Sequence, residues 1–276
     1  MSCQLVSENT QDKRKQRNQS DLYLLKFRSQ TVTRSVTYLI MKEFSRLVSL
    51  IPRFFFYNYN NAIICKLPKG IKSLMDAGTG LGIRMERIKK HCKEIYLVGV
   101  DLFLPYLKSA KKRSVCDDYV LADVRHLPFK QNSFDVVLCT EVIEHLAKDE
   151  AVRALFNFDE IACKRVIIGT PSGYLKELPS LLTSLILMSK EENPLLDHPL
   201  DHTKAHMSGF RPAELKKMGY KVFGVEGFRL LYCKASLFSL IAAYLTGPLA
   251  YFIPETALQM ICIKDRGFLR SSLILS

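Results

Sequence analysis

At 276 residues and 48% apolar composition the chain can bury one large core, and its net charge of +13 is high. Residues 1–60 hold ten Lys/Arg against four Asp/Glu, but no long basic block or aromatic-basic signature is present, so nucleic acid is disfavoured as a partner. The eight cysteines form no C-x-x-C pair, which argues against a zinc ribbon or disulfide framework and for reduced thiols in a cytoplasmic protein.

In chain order, residues 1–20 are polar and read as a disordered tail with no secretory leader. Residues 21–65 read as an N-terminal helical cap, with Val36, Leu39, Ile40, Phe44, Leu47 and Ile51 at helical spacing. The competing reading of that stripe is a basic amphipathic surface for lipid, or a lid. Residues 66–276 read as the main domain, interrupted by insertions at about 174–210 and 228–258.

From residue 72 strands and helices alternate. Strands are predicted at 72–77, 95–101, 118–122, 134–139 and 165–169, with helices through about 92, over Leu104, Leu107 and Ala110, and over Leu155, Phe158 and Ile161. Such alternation means α/β: a doubly wound, mostly parallel sheet that binds ligands at the carboxyl ends of its strands. Pro212–Met218 reads as a further helix, and Tyr220–Val225 and Gln259–Lys264 as the last strands.

The chemistry gathers at those strand ends. Asp76 closes the first strand and runs into Gly78, Thr79, Gly80 and Gly82, a turn where bare backbone meets a ligand and a helix N-terminus follows. Ile83 stands where a dinucleotide fingerprint needs its third glycine, and no Gly-Lys-Ser/Thr phosphate loop is present. Asp101 closes the second strand, nineteen residues past Gly82, at the distance of a ribose-binding acid, and Asp123 closes the third. Each acid alone reads equally as a cap or turn residue; three in register behind a glycine turn point to a nucleotide-like ligand.

The ordered set D-A-G-T-G-L-G at 76–82, V-G-V-D-L at 98–102, A-D-V-R-H-L-P-F at 122–129 and S-F-D-V-V-L-C-T-E-V-I-E-H-L at 133–146 resembles the class I S-adenosylmethionine-dependent methyltransferases, of the methyltransferase type 11 kind. The resemblance spans roughly 70–265. It implies a Rossmann-like sheet of seven strands with an antiparallel last strand. It also implies S-adenosylmethionine as cofactor, with Asp76, Gly78, Thr79, Gly80 and Gly82 under its methionine part. Asp101 would take the ribose hydroxyls, Leu102 would flank the adenine, and Asp123 with the Val124 amide would read its edge. Thr140 and Glu141 would line the methyl-transfer face.

Methyl transfer from a sulfonium needs alignment more than acid–base chemistry. Glu141, Glu144, His145 and His206 are the candidates for a base or a substrate contact, although Glu144 and His145 also read as a helix's first turn. His198, His202 and His206 share i, i+4, i+8 spacing, but Pro199 and its Asp-rich surroundings favour a loop, and no metal is assigned.

Leu178–Met188 is apolar but too short to span a bilayer. Residues 235–254 carry no charge over twenty positions, yet Gly247-Pro248 halves the run, so it reads as a helical hairpin that covers a greasy pocket or dips into one leaflet. The functional expectation is in-line methyl transfer to a small-molecule, lipid-like acceptor, with peripheral membrane contact. The alternatives are a non-catalytic membrane-associated module on the same fold, or an RNA methyltransferase. Oligomeric state is left open.

Overall fold

The computed structural model describes residues 59–174, 206–232, 242 and 245–266. The chain divides into two compact units, Met1–Pro52 and Arg53–Ser276, and every described residue lies in the second. The expected tail, most of the cap, the apolar run at 178–188, His198, His202 and, within 235–254, residues 235–241 and 243–244 fall outside the described residues.

The described elements are α1 (Tyr59–Cys65), β1 (Ser73–Ala77), α2 (Ile83–His91), β2 (Tyr96–Asp101), α3 (Leu104–Arg113), β3 (Asp118–Leu121) and β4 (Phe134–Thr140). A 3-10 turn at Ile143–His145 leads to α4 (Lys148–Ile161) and β5 (Ala162–Pro171). Then come α5 (Pro212–Lys217), β6 (Lys221–Phe228), α6 (Arg229–Tyr232), α7 (Gly247–Phe252) and β7 (Ala257–Asp265). The seven strands form one sheet in the order β3-β2-β1-β4-β5-β7-β6. β1 to β5 pair in parallel, and β7 runs antiparallel between β5 and β6. The expected Rossmann-like sheet with an antiparallel last strand is therefore present.

Period-two alternation explains why both faces are covered. Leu74, Leu97, Val136, Leu138 and Ile167 turn to one face, where Met85 and Ile88 of α2 and Tyr59 and Ile63 of α1 meet them. Met75, Val98, Val137, Cys139, Val166 and Ile168 turn to the other, against Ala154, Leu155 and Phe158 of α4. α1, assigned from sequence to the cap, thus buries Tyr59, Ala62 and Ile63 in the core of the sheet.

The predicted elements recur with shifts at their ends. β5 begins at Ala162, directly after α4, because Ala162 already pairs with Phe134. A larger difference lies after β4. The helical first turn expected at Glu144-His145 is a separate 3-10 turn, and α4 starts only at Lys148. The physical reason is a long-range pairing: the Glu144 carbonyl accepts the Met207 and Ser208 amides, at 2.8 and 3.0 Å, instead of an amide one turn on. Of the expected hairpin, α7 is described. It starts at the Gly247-Pro248 break and crosses β6 at Gly224, where a Cβ would run into the Ala250 carbonyl. Among the described residues no helix is long and apolar enough to cross a membrane.

Candidate active site

At the carboxyl ends of β1 and β2 the backbone builds a cradle. The Gly78 and Thr79 amides both donate to the Val100 carbonyl at 2.8 Å, which draws the turn after β1 across the end of β2. Gly78, Gly80 and Gly82 all have positive φ, at 90°, 54° and 75°. A Cβ on Gly78 would run into Val142 Cγ2, whereas a Cβ on Gly80 would meet nothing within 4 Å. Gly78 is therefore glycine for packing, and Gly80 presents bare backbone to open space.

Asp101 is buried, and its carboxylate accepts the Gly80 amide through Oδ2 and the Phe103 amide through Oδ1, both at 2.8 Å. It ties the glycine turn to β2. Leu102 beside it is 58% exposed, while Val124 is buried. Asp123 is held by Arg125, whose Nε lies 3.0 and 2.9 Å from its two oxygens, and Arg125 also reaches Glu150 at 2.8 Å. Those hydrogen bonds hold the Asp123 carboxyl below the usual carboxylate range.

Asp76 is fully buried, and neither of its carboxylate oxygens has a hydrogen-bond partner. The buried Thr79 hydroxyl, also without a partner at full hydrogen-bond geometry, is the polar group beside Asp76 and favours its charged form. Burial pushes Asp76 up to about 7, against the pull of the Arg84 charge. Buried polar atoms so weakly satisfied leave hydrogen-bonding capacity for a ligand that is not part of the chain.

The ends of β4 and β5 build the other half from side chains. Arg84, in the first turn of α2, donates to the Thr140 hydroxyl. Its guanidinium carbon lies 5.3 Å from the Tyr59 ring centroid. The Tyr59 hydroxyl donates to Glu141 Oε1 at 2.8 Å, and Gln259 Nε2 donates to Oε2 at 3.3 Å. Tyr59 reaches this point because residue 169 is glycine: a Cβ there would run into the phenol oxygen. Glu141 itself takes a left-handed conformation at φ 57°, a strained position for a non-glycine residue. Burial raises its pKa, and the Tyr59 hydrogen bond opposes the rise.

Glu144 is 1% exposed. Its Oε2 accepts from the Thr170 hydroxyl at 3.0 Å, and its Oε1 has no partner. Burial, then the Glu141 charge, hold its pKa well above the usual carboxylate value. The His145 and His206 rings meet edge to face with centroids 4.9 Å apart. The structure thus joins Glu144 and His145 with His206, which lies some sixty residues further along the chain.

Tyr59, Arg84, Thr170, Gln259 and Glu226 were not legible as site residues. Glu226 sits at φ 65° in a bulge of β6, and burial followed by the Glu141 charge pushes it up to about 7. Arg84 had a usable signal, as a cation in the first turn after the glycines, where a helix N-terminus does not favour one. The others come from remote elements and carry no motif.

A family model described as a methyltransferase domain matches residues 75–162, about a third of the chain. A curated relative, an uncharacterized protein of Methanocaldococcus jannaschii, is 34% identical over 110 residues, 38% of this chain and 44% of its own. The chain therefore spans under half the length of that relative. Similar solved structures include the magnesium protoporphyrin IX methyltransferase of Synechocystis PCC 6803, with 16% identity, 76% of this chain and 82% of that one covered, and a TM-score of 0.45. Another is a possible histamine N-methyltransferase of Thermotoga maritima, with 20% identity, coverage of 82% and 96%, and a TM-score of 0.45. The small RNA methyltransferase HEN1 is similar at 15% identity, coverage of 75% and 25%, and a TM-score of 0.49. Over residues 75–162 the chain is thus similar to a methyltransferase domain, and the ordered motifs lie on the seven-stranded sheet within that stretch.

Proposed function

We propose that the chain binds S-adenosylmethionine at the ends of β1, β2 and β3 and transfers its methyl group to a small, lipid-like acceptor at the ends of β4 and β5. The observation that carries the reading is the open backbone at Gly80 beside two buried polar groups, the Asp76 carboxylate and the Thr79 hydroxyl. The residues present fit the cofactor. Asp76, Gly78, Thr79, Gly80 and Gly82 would hold its methionine part, Asp101 its ribose, and Leu102, Asp123 and Val124 its adenine. The cofactor supplies a methyl on a sulfonium, whose departure leaves a neutral thioether.

The remaining work falls to the chain. Thr140, clamped by Arg84, and Glu141, clamped by Tyr59 and Gln259, form the wall of the transfer face. Glu141, Glu144, His145 and His206 are the candidates to take a proton from an acceptor that arrives protonated. Support for an apolar acceptor and for peripheral membrane contact comes from exposed Leu230, Leu245, Leu249, Phe252 and Ile253 between β6 and β7.

Calorimetric titration with S-adenosylmethionine tests the first half. Micromolar binding that weakens at least tenfold in Asp101→Ala is the expected result; no binding by the wild type sinks the reading. Incubation with methyl-labelled cofactor and fractionated extract tests the second half. Label in the lipid or small-metabolite fraction is expected, whereas label in RNA or protein replaces the acceptor class. Liposome flotation tests the membrane contact, and a chain that stays with the soluble fraction retires it.

A further inference from the structure

We propose that Glu144, His145 and His206 form a binding site for a divalent transition-metal ion on the acceptor side of the site. One ligand atom from each of the three lies within 4.8 Å of the other two. Bonds of about 2.1 Å place tetrahedral ligand atoms about 3.4 Å apart, so an ion has to draw these side chains in by roughly an ångström.

The second observation is independent of that proximity. Glu144 is 1% exposed, and its Oε1 has no hydrogen-bond partner while Oε2 is held by Thr170. A buried carboxylate oxygen left without a partner is costly, and a cation satisfies it directly. The Thr170 hydroxyl serves as the group behind the ligand that fixes its orientation.

The scaffold holds the three together. The 3-10 turn carries Glu144 and His145, and the Glu144 carbonyl takes the Met207 and Ser208 amides. The Ser208 hydroxyl donates to the Ile143 carbonyl at 3.3 Å, and the Tyr174 hydroxyl donates to the His206 carbonyl at 3.3 Å. His206 is thereby fixed against His145 from a distant part of the chain. The edge-to-face angle of 68° between the rings allows a nitrogen from each to face one point. Glu141 stands behind, with Oε1 engaged by Tyr59 and Oε2 by Gln259.

The donor set selects the ion. Two imidazoles and one carboxylate suit Zn²⁺, Mn²⁺ or Co²⁺, whereas Mg²⁺ and Ca²⁺ take oxygen ligands. Three protein ligands leave positions for water or for an acceptor oxygen. Only this last point, that the ion meets the acceptor, rests on the methyl-transfer reading.

The test uses the full chain, stripped with a chelator and titrated with Co²⁺ alone, with no S-adenosylmethionine present. The expected result is one equivalent per chain, read by the visible absorption of bound Co²⁺, together with a rise of the thermal midpoint with metal concentration. Glu144→Gln and His206→Ala are each expected to lose at least tenfold in affinity. His206 is only partly buried, so His206→Ala decides the matter if Glu144→Gln does not fold. No saturable binding by the wild type, or wild-type affinity in His206→Ala, overturns the proposal. Displacement of Co²⁺ by equimolar Mg²⁺ overturns the assignment to a transition ion. Titration of the same metal-free sample with S-adenosylmethionine keeps the two failures apart, since lost cofactor binding with intact Co²⁺ binding counts only against the methyl-transfer reading.

Discussion

The proposed donor half and the proposed acceptor half of the site are built by opposite means. The donor half, at the ends of β1 and β2, is mostly backbone: glycine φ angles, two amides on the Val100 carbonyl, and one aspartate tying the turn in place. The acceptor half, at the ends of β4 and β5, is side chain on side chain, assembled from Tyr59, Arg84, Thr140, Glu141, Glu144, Thr170, His206 and Gln259. A backbone cradle fixes one ligand shape whatever surrounds it. A side-chain wall is easily re-lettered, which is how one fold takes many acceptors.

The sharpest way to break this contrast is inside the glycine turn. Gly78→Ala combines a φ of 90° with a methyl driven into Val142. It is expected to destabilise by roughly 3–5 kcal/mol, the sum of backbone strain and overpacking. Gly80→Ala, two residues on, meets open space and is expected to cost about 1 kcal/mol while lowering S-adenosylmethionine affinity at least tenfold. Urea unfolding and calorimetry read the two. Equal stability of both variants would mean that the turn is not packed as described.

Next in size is the pH dependence of Asp76 in the ligand-free protein. Its folded pKa is raised to about 7 from 3.8. The native chain therefore holds a proton between those values that the unfolded chain has released. Stability contributed this way is full below about pH 4 and is lost as pH rises to about 7, at about 1.4 kcal/mol per unit. Asp76→Asn cannot ionise and is expected to flatten that slope, so that above pH 7 it is the more stable protein. Urea denaturation at pH 4.5, 6 and 8 measures it. Parallel pH curves for the two proteins would show that Asp76 keeps its charge with a partner.

On the acceptor side the expected effects are smaller and read out elsewhere. Tyr59→Phe leaves Glu141 Oε1 without its donor inside a buried wall and is expected to cost about 1–3 kcal/mol. Cofactor affinity is expected to stay within about threefold, since Tyr59 does not touch the glycine turn. A tenfold loss of S-adenosylmethionine binding in Tyr59→Phe would mean that the two halves are coupled through Arg84.

The same contrast explains what could be read from the sequence. The proposed donor half is local: Asp76 to Gly82 is one continuous stretch, Asp101 ends β2 and Asp123 follows β3 by two residues, so spacing set them near strand ends while their roles came from the family resemblance. The sheet was legible for the same reason, since period two and period 3.6 are local properties. Glu144 and His145 were legible as residues but not as a site. Their partner His206 arrives from sixty residues away, through hydrogen bonds to a carbonyl that no side-chain pattern encodes. Tyr59 was hidden in a segment read as a cap, and its reach to Glu141 depends on the missing Cβ of Gly169, which is visible only once β5 is beside it.

The smallest expected effect falls at the edge of the donor half, where it relies on side chains after all. Asp123 is held by Arg125 in a fork that continues to Glu150, with Arg125 38% exposed. An ion pair so open to water contributes under about 1 kcal/mol, so Arg125→Ala is expected to leave the urea midpoint nearly unchanged. The Arg125 amide still donates to Asp123 Oδ1 at 2.9 Å in that variant, because it is backbone. Asp123 therefore keeps its aim, and S-adenosylmethionine affinity is expected to fall less than fivefold. Asp123→Ala removes the carboxylate itself and is expected to weaken binding by at least fivefold with little change in stability. If Arg125→Ala loses as much affinity as Asp123→Ala, the guanidinium, not the backbone turn, orients the acid, and this edge of the cradle belongs with the side-chain half.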